Sequence, residues 1–222
     1  MNYYISDLHF GHARMNARID YRGFKTLEDM DAYMIAQWNS RVKDEDEVFI
    51  LGDLTISSDG KVVNQLLGRL HGRKTLLVGN HDSYLADPAF WPELFEQITP
   101  YLETEDAGRN VVLSHYPIMF YNGQYCRNAA GQLKTYMLYG HVHNGPDEAV
   151  IMEYQKTMQS HQRENIITGK KEMVPSQMIN CFCMFSDYVP LTLDEWIQID
   201  KMRRSAPTVG NGSATSHVIL CL

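Results

Sequence analysis

Short apolar runs, each ending abruptly in glycine or a polar cluster, punctuate the first two thirds of the chain. Leu76-Leu77-Val78 runs into Gly79-Asn80-His81-Asp82, and Tyr3-Tyr4-Ile5-Ser6 into Asp7-Leu8-His9. Val48-Phe49-Ile50-Leu51-Gly52 runs into Asp53, Val111-Val112-Leu113-Ser114 into His115, and Tyr136-Met137-Leu138-Tyr139-Gly140 into His141-Val142-His143. Apolar runs of this length read as buried strands. An apolar strand followed by a tight turn and polar groups is how an α/β sheet presents chemistry at the carboxyl ends of its strands. Parallel-type sheets bring such ends together, so these side chains are expected to converge on one site.

The intervening stretches carry helical periodicity. Leu27, Met30, Met34 and Trp38 fall on one face and predict a helix over 27–39, with Thr26 as N-cap and Asp29 three residues on. Ser58 is expected to cap a helix over about 61–70, with Val62, Leu66, Leu67 and Leu70 inward. Asp87-Pro88 opens a short helical piece through Gln97, and strands over 99–104 and 110–114 flank an Asp106-Ala107-Gly108 turn. A loop over 116–133 precedes the strand at 135–139, and Asn144-Gly145-Pro146 is a break. A helix is expected from Asp147 to about Arg163, a polar loop over 168–176, a strand over 178–185 and a last helix over 193–202 capped by Thr192. Residues 1–204 read as a single domain, with 144–178 a lid or insert and 205–222 a flexible tail rich in Gly, Ser, Ala and Thr.

The chain has 222 residues, 44% of them hydrophobic and 21% charged, enough to bury the core of one globular domain. Its net charge is −7 and it has no long basic run, which argues against a grip on duplex nucleic acid through many phosphates. A small phosphate ester or nucleotide is compatible with that charge, because bound divalent metals reverse the local sign. No apolar run spans a membrane, and strand residues begin at Asn2, leaving no room for a signal peptide. Cys181-Phe182-Cys183 lies in an apolar run, so both thiols are expected on one strand face as reduced core residues. These features together predict a cytoplasmic protein with no membrane contact.

The strand ends offer carboxylates, imidazoles and one amide, without thiolate. Such donors suit Mn, Fe, Zn, Co or Ni and disfavour a structural thiolate zinc site. Seven of them exceed one tetrahedral ion, whereas two ions sharing a carboxylate accommodate them, with Asp53 the candidate bridge. His12, Arg22, Tyr121 and Arg127 are weaker candidates for substrate contacts.

In order along residues 7–143, Asp7-x-His9, Gly52-Asp53, Gly79-Asn80-His81-Asp82, His115 and Gly140-His141-x-His143 resemble the five motifs of the calcineurin-like metallophosphoesterases. The opening Asp7-Leu8-His9-Phe10-Gly11-His12 is similar to a small bacterial and phage-borne branch. The resemblance implies mixed α and β structure, a four-layer α-β-β-α sandwich of two mixed sheets. It places Asp7, His9, Asp53 and His143 on one metal and Asp53, Asn80, His115 and His141 on a second, with manganese the first choice. It implies hydrolysis of a phosphate ester by a metal-bridging hydroxide, and the lack of a motif arginine after Asp53 favours a diester over a dianionic monoester. His81 would protonate the leaving group or stabilise phosphoryl charge, and Asp82 would orient His81. The segment after Asp53 is Leu54-Thr55-Ile56, not the Arg-Gly of the protein phosphatases or the Tyr of the purple acid phosphatases. The alternatives are a nuclease acting on single strands or ends, and a metal-retaining scaffold that binds proteins without catalysis.

Overall fold

The computed structural model describes residues 1–205. Its strands and helices run β1 (Asn2–Ile5), α1 (Leu27–Arg41), β2 (Glu47–Ile50), α2 (Gly60–Leu67), β3 (Arg73–Leu77), β4 (Gln97–Thr99), β5 (Tyr101–Asp106), β6 (Arg109–Ser114), β7 (Thr135–Tyr139), α3 (Pro146–Met158), β8 (Gln162–Glu164), β9 (Lys171–Met173), β10 (Met178–Asn180) and α4 (Leu193–Ser205).

Two four-stranded sheets result. The first has the order β1-β2-β3-β4 and is parallel throughout. The second has the order β10-β7-β6-β5 and is mixed, since β5 and β6 form an antiparallel hairpin beside parallel neighbours. Side chains alternate between the faces of a strand, and that alternation builds three apolar layers. Tyr3, Ile5, Val48 and Ile50 point away from the second sheet and bury Met30, Met34 and Trp38 of α1 with Val63 and Leu67 of α2. Their neighbours Tyr4, Phe49, Leu51 and Leu77 meet Val111, Leu113, Leu138 and Ile179 between the sheets, sealed by Leu193, Trp196 and Ile199 of α4. Val112, Met137, Tyr139 and Met178 pack outward on Ile151 of α3. The layers are therefore helix, sheet, sheet, helix.

Where the elements differ from expectation, local chemistry accounts for it. The run at 99–104 is divided, because Pro100 cannot donate to a ladder, and the chain changes sheets there, from β4 to β5. Asp59, not Ser58, caps α2 by accepting from Lys61 N and Val62 N, which turns Val62 outward and brings Val63 in. The helix after Gly145 stops at Met158, and the segment read as its end plus a polar loop forms the β8–β9 hairpin. Asn165 Oδ1 accepts from Ile167 N and Thr168 N and builds that turn. The strand at 178–185 ends at Asn180, whose side chain accepts from Phe182 N. Consequently Cys181 and Cys183 do not share a face: Cys183 belongs to the α1 side and Cys181 to the layer between the sheets. The 205–222 tail and its Cys221 lie, Ser205 apart, outside the described residues. No helix among the described residues is long and apolar enough to cross a membrane.

Candidate metal centre

All five predicted strand ends open on one edge of the sandwich, and the turns after them fix the seven expected ligands. Five of those seven have left-handed backbone: Asp7 at φ +56°, His9 at +50°, Asp53 at +55°, His141 at +71° and His143 at +50°. Each such non-glycine conformation costs about 1–3 kcal/mol, and clusters of them mark functional sites. The turns are locked to one another. Asp82 accepts from Gly79 N, Asp53 N and Leu54 N at 2.8, 3.0 and 3.0 Å, tying the turn after β3 to the turn after β2. The backbone N–H of His81 donates to Asp53 Oδ1 at 2.8 Å, and that of His141 donates to Asp7 Oδ1 at 3.0 Å.

Glycine is needed here for closeness as much as for turning. A Cβ on Gly79 would lie 2.5 Å from Asp53 N and nearer still to Asp53 Oδ1. One on Gly140 would lie 2.5 Å from Asp7 Oδ2.

Two clusters of donor atoms follow. Asp7, His9 and His143 offer atoms within 4.8 Å of one another, and so do Asp7, Asp53 and His115. Asp53 faces both, with Oδ2 3.5 Å from His9 Nε2 and Oδ1 3.6 Å from His115 Nε2. Asn80 Oδ1 lies 3.0 Å from His115 Nε2 and 2.9 Å from His141 Nδ1.

Lone pairs converge in this basin. His115 Nδ1–H donates to Leu51 O at 2.8 Å, so in the neutral ring Nε2 presents a lone pair to Asn80 Oδ1 and Asp53. His143 Nδ1–H donates to Asp20 Oδ1 at 2.7 Å, so its Nε2 faces His9 Nε2 at 3.1 Å and Asp7 Oδ1 at 3.5 Å. Acceptors aimed at acceptors are the donor set of a cation, and the oxygen–nitrogen chemistry fits divalent metals.

Without an ion the same crowding shifts the titration of the rings. Burial above all pushes His9 down to about 2. Burial also acts to lower His143, but hydrogen bonds to Asp20 and Asp7 prevail and hold it at about 9. Burial raises Asp53. Burial would raise Asp7 too, but its contacts with His143 outweigh that and leave it lowered.

Asp20 is a site residue that sequence reasoning missed. Its side chain is almost fully buried, one oxygen on His143 and the other on the Arg22 guanidinium. Carboxylates in this position orient a metal-bound imidazole and raise its basicity.

Several expected contacts take other forms. Arg22 does not face substrate: its side chain is buried and donates to Asp20 Oδ2, Leu8 O and Asp7 O, bracing the loop that carries the first ligands. Asp82 does not orient His81, because both its oxygens are taken by the backbone of the turns. Tyr121 is buried, its hydroxyl accepting from Gln177 N at the start of β10, the end of the sheet away from the ligands. Arg127 donates to Gly131 O in a small bend beside Arg109 and Lys134, also at the far end of β6 and β7. The loop after His115 runs back along the sheet, which carries both residues away. His81 and His12 do stand beside the cluster. The His81 ring is 5.3 Å from that of His9 and 6.1 Å from that of His12, and His12 lies 5.4 Å from His9. Tyr116, half exposed, packs its ring 4.6 Å from His141.

An acidic and imidazole-lined basin at the joined strand ends of two packed sheets has the donor set of a divalent-metal site. The chain belongs to the calcineurin-like phosphoesterase family, whose profile matches residues 3–199. That membership implies a phosphoric ester hydrolase, and groups of side chains that could hold a divalent metal are present. It is 33% identical over 162 residues to the gene 66 protein of Mycobacterium phage D29, covering 64% of this chain and 78% of the phage protein. The gene 66 protein of Mycobacterium phage L5 is 29% identical over a similar span, in keeping with a small phage-type branch. An uncharacterised protein of Methanocaldococcus jannaschii is 40% identical over 83 residues, 37% of this chain and about half (47%) of its own length. The crystal structure of a protein of unknown function from Aquifex aeolicus superposes with a TM-score of 0.60 at 26% identity, covering 91% of this chain and 98% of that one.

Proposed function

We propose that this chain is a phosphodiesterase for small esters or nucleotides that works with two divalent ions, manganese first among them. Asp7, His9, Asp53 and His143 would hold one ion, and Asp53, Asn80, His115 and His141 the other. Ions bound there would supply Lewis-acid activation of the phosphoryl group and of the attacking water. The chain's own residues do the rest. Asp53, fixed by the N–H of His81, holds the two halves of the site in register. His81, its ring beside those of His9 and His12, donates a proton to the leaving oxygen. Tyr116 walls the opposite side next to His141 and offers an apolar face to an ester group.

The observation that carries the diester preference is the fate of Arg22. A dianionic monoester benefits from fixed cations beside the metals, and Arg22, the first-loop arginine expected to contact substrate, is consumed by Asp20 and two backbone carbonyls. A diester carries one charge less and needs no such partner.

The test is a panel of bis-p-nitrophenyl phosphate, p-nitrophenyl phosphate, cyclic nucleotides and single-stranded DNA, each with Mn, Fe, Zn, Co and Ni. Diester turnover equal to or above monoester turnover is expected, with Mn among the active ions. A strong preference for the monoester overturns the diester reading. Turnover confined to single-stranded DNA makes the protein a nuclease, and no turnover with any ion makes it a scaffold.

A further inference from the structure

Glu148 on α3 is a buried carboxylate that plays no part in the chemistry above, only 3% exposed. Three elements converge on it. Tyr139 Oη–H of β7 donates to Oε2 at 2.8 Å, Asn180 Nδ2 of β10 donates to Oε2 at 3.0 Å, and Arg203 of α4 donates to Oε1 at 2.7 Å. A buried ion pair so fully hydrogen-bonded adds little net stability by itself, yet removal of either partner is costly. What it fixes is the Asn180 amide.

That amide can sit only one way round. Asn180 Oδ1 accepts from Phe182 N at 3.0 Å, and Nδ2 must therefore face Glu148. With its remaining hydrogen Nδ2 donates to His143 O at 2.8 Å. The same turn places the Phe182 ring on the His143 ring, stacked at 4.7 Å and 22°. His143 thus has its left-handed peptide held through its carbonyl, its ring face held by Phe182, and its Nδ1 held by Asp20.

We infer that Glu148 and Asn180 are positioning residues for His143, a rigid chain from α3 to the metal site that holds His143. The inference concerns metal binding, so it stands or falls apart from the ester-hydrolysis reading. It makes the first turn of α3 part of the metal centre's support, although α3 supplies no ligand. The isosteric variant Asn180→Asp places a carboxylate oxygen against both Glu148 and the His143 carbonyl, reversing two attractive contacts. Glu148→Gln keeps an acceptor for Tyr139 and Asn180 but turns its amide NH2 toward the Arg203 guanidinium, so the contact to Asn180 survives and the one to Arg203 is lost. Glu148→Ala removes the acceptor altogether.

The experiment titrates metal-free protein with Mn and, separately, with Co, reading heat and the visible spectrum of bound Co. Wild type is expected to take two ions per chain. Asn180→Asp and Glu148→Ala are expected to weaken one of the two by about 10–100-fold, the range for partners that orient a ligand. The other ion should bind as in wild type, and Glu148→Gln should restore most of the lost affinity. Thermal melts with the metals absent separate a folding defect from a positioning defect. Equal weakening of both ions, or weakening that simply tracks the melting temperature across the variants, overturns the inference. So does unchanged Co spectrum and affinity in Asn180→Asp. Two bound ions with no turnover of any ester would sink the functional reading and leave this one standing.

Discussion

Asp53 carries more of the centre than any other residue, because its two oxygens face different imidazoles, His9 and His115. An amide bridges two cations poorly, so Asp53→Asn should drop metal content from two ions per chain to one or fewer by elemental analysis. His81 is separable from metal holding. His81→Ala should lose roughly 10²–10⁴-fold on an alkyl or nucleoside ester, and much less on a nitrophenyl ester whose leaving group needs no proton. Metal content should hold; equal losses on both esters would instead mark His81 as a stabiliser of phosphoryl charge. His143 gives a pH signature to the metal-free protein. Its pKa is held at about 9, above the ordinary 6.5, by Asp20 and Asp7. A raised pKa means the folded state binds the extra proton, so this stabilisation is fully present below pH 6.5 and is lost as pH rises through 9. Metal-free wild type should therefore lose melting temperature between pH 7 and 9.5, and His143→Gln should lose less over the same range.

At the scale of elements, the turns matter more than the strands they follow. Asp82 is shared between two of them, and its three backbone contacts are all to buried or partly buried N–H groups. Asp82→Ala leaves those donors unsatisfied and should cost about 2–4 kcal/mol by denaturant unfolding, with loss of metal because Asp53 sits on the released turn. A drop in activity with unchanged stability would return Asp82 to the role of His81's partner. The convergence of the strand-end side chains was legible from sequence because an apolar run breaking into Asp or His leaves few other places for that side chain. Asp20 was not, since no strand precedes it and its neighbours Ile19 and Tyr21 give no period. Arg22 was visible as a charge in the right loop, but a charge does not say which way it faces, and this one faces the core. Tyr121 and Arg127 shared a loop with His115 in sequence, and the loop's path along the sheet separates them from it. The β8–β9 hairpin escaped because its side chains alternate only weakly and its turn rests on one Asn.

For the whole molecule, the four layers are those the family motifs implied, and Thr26 and Thr192 cap α1 and α4 as expected, with Glu195 adding a reciprocal contact to Thr192 N. A metal held at this centre would be coupled to the stability of that assembly. Ligand that binds only the folded state stabilises it by about 2.7 kcal/mol at a hundred times its dissociation constant. Chelation should accordingly lower the melting temperature by several degrees, and Asp53→Asn should shift less than wild type. An unchanged wild-type melt on chelation would show that no ion is held by the native chain. The left-handed ligand residues give that coupling a direction under selection. At His141, exposed and at φ +71°, glycine would relieve the backbone while giving up little packing. Stability and retention of the centre thus pull this position in opposite ways. A library screened for heat resistance alone, in chelator, should enrich glycine at His141, and the same library screened with metal and ester should purge it.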